Sequence, residues 1–150
     1  MRASEYLVPA LGGLPGTITG REPELSGLRA ALPPLIAHVD DHGDLIELIR
    51  YLLVAHEGYR VESFARGDLA LDFCRTYHPD LLITDLQHSN IDGWTMLEEI
   101  RSDHYLHDLP VIVFTGRSGC AERLETLGAK YIPKPCDWHE FIATVRSVVG

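Results

Sequence analysis

The sequence predicts an α/β fold, a doubly wound parallel sheet of five strands covered by five helices. Two observations lead there. From Leu35 onward, short apolar runs alternate with amphipathic segments, the pattern of repeated strand–helix units. Leu81-Leu82-Ile83 and Val111-Ile112-Val113 are continuously hydrophobic, as central strands with helices on both faces must be.

The strands are expected at about 35–39, 59–64, 80–85, 110–115 and 130–133, and the helices at about 44–56, 67–77, 93–103, 119–128 and 137–149. Asp137 and Glu140 have capping-box spacing for the last helix, where Phe141, Ile142, Val145, Val148 and Val149 form one apolar stripe. Trp94 and Met96 in the third helix are expected to pack, and Trp138 is a candidate exposed contact. Residues 1–33 contain Pro9, Pro15, Pro23 and Pro33 with five glycines, which opposes a continuous helix or strand and predicts an arm. Within it, Glu24–Leu32 aligns Leu25, Leu28 and Leu32 as a short helix that needs a partner surface. The domain itself is expected over 34–150.

Composition narrows the function. At 150 residues, 45% of them hydrophobic, one sizeable core is the expectation. Acidic residues outnumber Lys and Arg by 22 to 13, which opposes a surface built for nucleic-acid phosphates. Cys74, Cys120 and Cys136 have unrelated spacings and form neither a disulfide framework nor a zinc motif, so reduced thiols in a cytoplasmic protein are expected. Neither a signal-peptide core nor a membrane-spanning run is present in the sequence.

In an open parallel sheet the functional crevice lies at the carboxyl ends of the strands. Here those ends carry Asp40 and Asp41 after the first strand, Asp85 at the third and Thr115 at the fourth, with Lys134 just after the fifth. Three neighbouring carboxylates repel one another unless a cation neutralises them, and oxygen donors suit magnesium. Such a site fits a nucleophilic Asp85 forming an acyl phosphate, with the metal and Lys134 offsetting phosphoryl charge and Thr115 hydrogen-bonding a phosphoryl oxygen. Each residue also has a plainer reading. Asp40 and Asp41 suit an acidic first helical turn, Lys134 a solvated loop, and Thr115 a β-branched strand position.

The ordered set Asp40-Asp41, Asp85, Thr115 and Lys134-Pro135 resembles the receiver domain of two-component response regulators, along nearly the whole segment from Leu35 to Val149. The resemblance implies a CheY-like, flavodoxin-like sheet of order 2-1-3-4-5, with Asp85 phosphorylated by a histidine kinase or phosphotransfer protein. It implies Mg2+ held by Asp40, Asp41, Asp85 and the Gln87 carbonyl, Lys134 contacting the phosphoryl group, and Thr115 as switch hydroxyl. It further implies Tyr131 as an aromatic partner that moves with Thr115, Gly116 as a small residue leaving the site open, and a cis bond before Pro135. With Gly150 closing the last helix, a receiver without an output domain is expected, acting on a downstream protein or a second copy of itself and performing only self-catalysed phosphotransfer and dephosphorylation.

Three departures stand out. The loop after the acceptor reads Asp85-Leu86-Gln87-His88-Ser89-Asn90-Ile91-Asp92-Gly93, with Ser89 where the family has proline, which restores a backbone donor and frees φ. The stretch from Thr115 to Lys134 is short, predicting a trimmed loop or fourth helix. Gln87 and Arg117 flank the site and are candidates for setting phosphoryl lifetime. The histidines, His38, His42, His56, His78, His88, His104, His107 and His139, show no ligand spacing and are expected at the surface or in loops, with His88 near enough to tune the site. Competing readings are a phosphorylation-independent interaction module, a phosphatase of the Asp-x-Asp-x-Thr type, which Gln87 opposes, and a flavin module, which the acids after the first strand oppose.

Overall fold

The computed structural model describes residues 31–87 and 91–150. Residues 1–30 of the arm, and with them nearly all of the helix expected over Glu24–Leu32, lie outside the described residues, as do His88, Ser89 and Asn90.

Five strands form one parallel sheet: β1 (Leu35–Val39), β2 (Arg60–Phe64), β3 (Leu81–Thr84), β4 (Val111–Thr115) and β5 (Lys130–Pro133). The order is β2-β1-β3-β4-β5, as expected. The helices between them are α1 (Gly43–Arg50), α2 (Gly67–Tyr77), α3 (Gly93–Ser102), α4 (Ala121–Thr126) and α5 (Trp138–Val149).

Side chains alternating along each strand create two cores. Ile36, Leu81, Ile83, Ile112 and Phe114 pack with Ile49, Leu53, Phe141 and Val145 from the helices on one face. Ala37, Val39, Leu82 and Val113 pack with Leu71, Phe73, Leu97, Ile100 and Leu124 on the other. Both faces of β3 and β4 are therefore dry, which is why those strands read as unbroken apolar runs.

Two boundaries differ informatively. The first helix leaves α geometry after Arg50 and runs as a π-helical turn over Tyr51–His56, where the Glu57 N–H reaches back to the Leu52 carbonyl. The fourth helix has six residues instead of the ten expected. Gly119 and Gly128, at φ of 74° and 68°, bracket it with left-handed backbone that cannot continue a helix, so the short Thr115–Lys134 stretch trims the helix itself. The Asp137 side chain caps α5 by accepting from the His139 N–H.

Two side-chain expectations are corrected. His38 lies inside β1 and is 1% exposed, in place of the surface or loop position expected. Being the fourth residue of a central strand buried along its whole length outweighs its polarity. Burial pushes its imidazole pKa down to about 4, and Nδ1 finds no hydrogen-bond partner among the described residues. Trp138 is half-buried, its ring edge-on to Phe114 and Phe141 at 5.9 and 5.4 Å, so it packs instead of standing free as a contact. Trp94 and Met96 pack as expected, Met96 fully buried and the Trp94 ring lying under the Arg123 guanidinium.

Candidate functional site

Sheet register assembles the site. Val39 pairs with Thr84, so Asp40 and Asp85, each one residue further on, emerge side by side at the carboxyl edge. Thr115 pairs with Pro133, which sets Lys134 just beyond it. The ladder continues past the strands: the Asp40 N–H donates to the Phe64 carbonyl at 3.1 Å, Asp85 N–H to Val39 at 3.2 Å and Lys134 N–H to Thr115 at 2.9 Å. These bonds fix the backbone from which each charged side chain projects.

The Lys134 Nζ bridges the two buried carboxylates, at 2.7 Å from Asp40 Oδ2 and 2.9 Å from Asp85 Oδ2. Asp40 is 1% exposed and Asp85 6%. Burial alone would raise the Asp40 pKa, but hydrogen bonds from Lys134 and His42 outweigh it and hold the carboxyl below its usual range. Burial likewise opposes the Lys134 charge, and the bonds to Asp40 and Asp85 overcome it, raising its pKa. Asp85 Oδ1 accepts from the backbone N–H groups of Leu86 at 2.7 Å and Gln87 at 3.3 Å, which aims its carboxylate.

Asp41 stands apart from this bridge. Its side chain is 39% exposed, and its Oδ1 lies 3.1 Å from Nδ1 of His42, whose ring also lies 2.9 Å from Asp40 Oδ1. Among the described residues, the one group of potential metal ligands within mutual reach is Asp40, Asp41 and His42, with donor atoms all within 4.8 Å of one another. Asp85 joins it through Lys134 and Asp40. His42 is thus brought into the site, although its spacing alone gave no sign of it; its position directly after two rim aspartates was the available signal.

The remaining expected residues lie around the rim. Thr115 is buried, and its hydroxyl accepts from the Arg117 N–H at 3.2 Å. The Arg117 carbonyl accepts in turn from the Tyr131 hydroxyl at 3.1 Å and the Cys120 thiol at 3.3 Å. The backbone of one residue, Arg117, therefore connects Thr115 with Tyr131 through its N–H and its carbonyl. Gln87 and Arg117 are exposed. A Cβ placed on Gly116 would meet only Lys134 Cβ, at an ordinary 3.8 Å. The Lys134–Pro135 peptide is cis.

The profile of the response regulator receiver domain matches residues 36–146. The chain belongs to that family. This receiver is 34% identical over 115 residues to the polar-differentiation response regulator DivK of Brucella abortus, across 75% of this chain and 93% of that protein. It is 33% identical over 121 residues to the response regulator MprA of Mycolicibacterium vanbaalenii, across 79% of this chain and 51% of that protein. Among solved structures it superposes on the non-phosphorylated HemR receiver domain of Leptospira biflexa with a TM-score of 0.69 and 32% identity, covering 78% of this chain and 94% of that one. It also matches TrrA of Thermotoga maritima, solved in complex with Mg2+-BeF, at a TM-score of 0.68 and 28% identity, covering 77% and 98%. Receiver domains of two-component signalling work with kinases or phosphotransfer proteins and with downstream targets. No helix among the described residues is long and apolar enough to cross a membrane.

The donor set of this receiver fits a hard divalent cation. Lys134 offsets two of the three rim carboxylates, Asp40 and Asp85, leaving net negative charge there, and the third, Asp41, is open to water.

Proposed function

We propose that this receiver accepts a phosphoryl group on Asp85 from a histidine kinase or phosphotransfer protein, in a magnesium-dependent reaction, and signals by contact with another protein or a second copy of itself. The observation that carries this reading is the Lys134 ammonium held at 2.7 and 2.9 Å between Asp40 and Asp85, residues from three different strand ends. A half-buried lysine held between two buried carboxylates is costly to assemble, and such perturbed charges cluster at functional sites.

A carboxylate oxygen of Asp85, aimed by the Leu86 and Gln87 amides, attacks the phosphorus of a phosphohistidine donor. The new P–O bond forms as the P–N bond breaks, and the bonding pair leaves with the donor imidazole. Asp40 and Asp41 are the ion-binding carboxylates, completed by Asp85 and the Gln87 carbonyl. Magnesium, when bound there, neutralises phosphoryl oxygens and aligns donor with acceptor. Lys134 follows the charge from the Asp85 carboxylate to the phosphoryl oxygens. Thr115 turns its hydroxyl to donate to one of those oxygens, giving up the bond from the Arg117 N–H; the Arg117 peptide then shifts and releases Tyr131. Gln87 and Arg117, exposed beside the site, set how readily water reaches the acyl phosphate. Residues 34–150 are the receiver, and residues 1–33 are an arm available to the contact.

Mass spectrometry of the chain after incubation with acetyl phosphate, with and without magnesium, tests this. One phosphoryl group is expected to be gained only with magnesium and lost in Asp85→Asn. Magnesium binding without any gain, from acetyl phosphate or from a panel of phosphorylated phosphotransfer proteins, would overturn phosphoacceptance in favour of a phosphorylation-independent module.

A further inference from the structure

We propose that His42 contributes a ring nitrogen to the cation site, so that this receiver binds first-row transition-metal ions of the manganese and cobalt class in preference to magnesium. The inference rests on the reading that Asp40 and Asp41 hold a divalent cation and adds to it a ligand and a selectivity.

His42 occupies the N-cap position of α1 with extended backbone, φ −95° and ψ 107°, yet its side chain makes no cap hydrogen bond. Ser, Thr, Asp or Asn at that position would turn an oxygen towards the first-turn N–H groups, a role this imidazole does not take. The imidazole instead turns back over the strand ends, with Nδ1 at 2.9 Å from Asp40 Oδ1 and 3.1 Å from Asp41 Oδ1. Two donors at adjacent corners of an octahedron with metal–ligand distances near 2.1 Å stand about 3.0 Å apart. The ring nitrogen therefore keeps with both carboxylates the spacing that a shared ion requires. An N–H···O hydrogen bond has the same length, and the experiment below separates the two.

Access and chemistry agree with ligation. The His42 side chain is 70% exposed and lines an open cleft with Gly43, Asp44, Leu45, Leu48 and Lys134, so water can complete a coordination sphere. Magnesium prefers oxygen and surrenders water reluctantly, whereas imidazole favours the later ions of the first transition row. Exchanging one oxygen or water ligand for nitrogen shifts the site away from magnesium. The imidazole must be unprotonated to ligate.

The test uses the full, tag-free chain loaded with Mn2+ at pH 8. Pulsed electron paramagnetic resonance is expected to show nitrogen-14 coupling to the bound Mn2+ that is absent in His42→Gln, a variant that keeps a polar side chain of similar reach. Competition titrations are expected to show the Co2+ to Mg2+ affinity ratio falling by about tenfold or more in His42→Gln. Bound Mn2+ without nitrogen coupling, or coupling that persists in His42→Gln, would overturn the His42 ligand and leave the carboxylate cation site standing. An absence of Mn2+ and Mg2+ binding in the parent chain would overturn both.

Discussion

His38 is the residue whose environment is most at odds with its chemistry. It is held neutral in β1 with its pKa pushed down to about 4, against 6.5 for an ordinary imidazole. Between those values the unfolded chain takes up a proton that the native chain refuses, so native stability falls as pH drops from 6.5 towards 4. The contribution lost by the lower end is about 3 kcal/mol. His38→Leu is expected to flatten that part of the stability curve, as read by urea titrations at a series of pH values with chelator present. Parallel curves for parent and variant would mean that the buried ring titrates normally. Every position of β1 is buried, so a side chain on this strand is covered whatever its chemistry.

At the scale of elements, the end of the acceptor loop is fixed by a close backbone approach. The Gly93 N–H donates to the Leu86 carbonyl at 3.0 Å, and a Cβ on Gly93 would stand 2.5 Å from Leu86 Cα and 2.7 Å from its carbonyl oxygen. Asp92 caps α3 through the Thr95 N–H, so Asp92 starts the helix and Gly93 lets it pack directly under the residue after Asp85. Gly93→Ala is expected to cost about 1–3 kcal/mol, because backbone on both sides must move. Phosphorylation of Asp85 should fall with it, since Leu86 carries one of the amides that aim the carboxylate. Unchanged thermal midpoint and phosphorylation rate would contradict the close approach. The Asp-Gly pair was legible as a motif, while its cause, contact with Leu86, depends on a segment folded back over it.

For the molecule as a whole, Arg101 ties elements that no sequence signal connects. From α3 its guanidinium donates to the carbonyls of His107 and Leu109 before β4, at 3.0 and 2.7 Å, and of Leu127 and Gly128 after α4, at 2.7 and 3.3 Å. The exposed pairs elsewhere, such as Arg66 with Asp68, contribute little by comparison. Arg101→Met keeps the aliphatic stem and removes the donors, and is expected to lower stability by about 2–4 kcal/mol because four carbonyls lose a charged partner together. Denaturant midpoints measure this, and a loss below about 0.5 kcal/mol would show that water replaces the guanidinium freely.

The sequence by itself determined the parallel sheet, the places of its strands, and the four rim positions Asp40, Asp85, Thr115 and Lys134. Those features are encoded locally, in hydrophobic periodicity and in polar residues that end apolar runs, and a strand end needs no partner to be recognised. Only the tertiary structure decided which of these residues meet. That Lys134 bridges Asp40 and Asp85, that Arg117 links Thr115 to Tyr131, and that His42 turns to the carboxylates instead of capping α1 all follow from strand register and side-chain direction. Such contacts join residues up to 94 positions apart, and a periodic pattern carries no information at that range. The fate of His38 was decided in the same way, because burial in a central strand is a property of the neighbours that cover it.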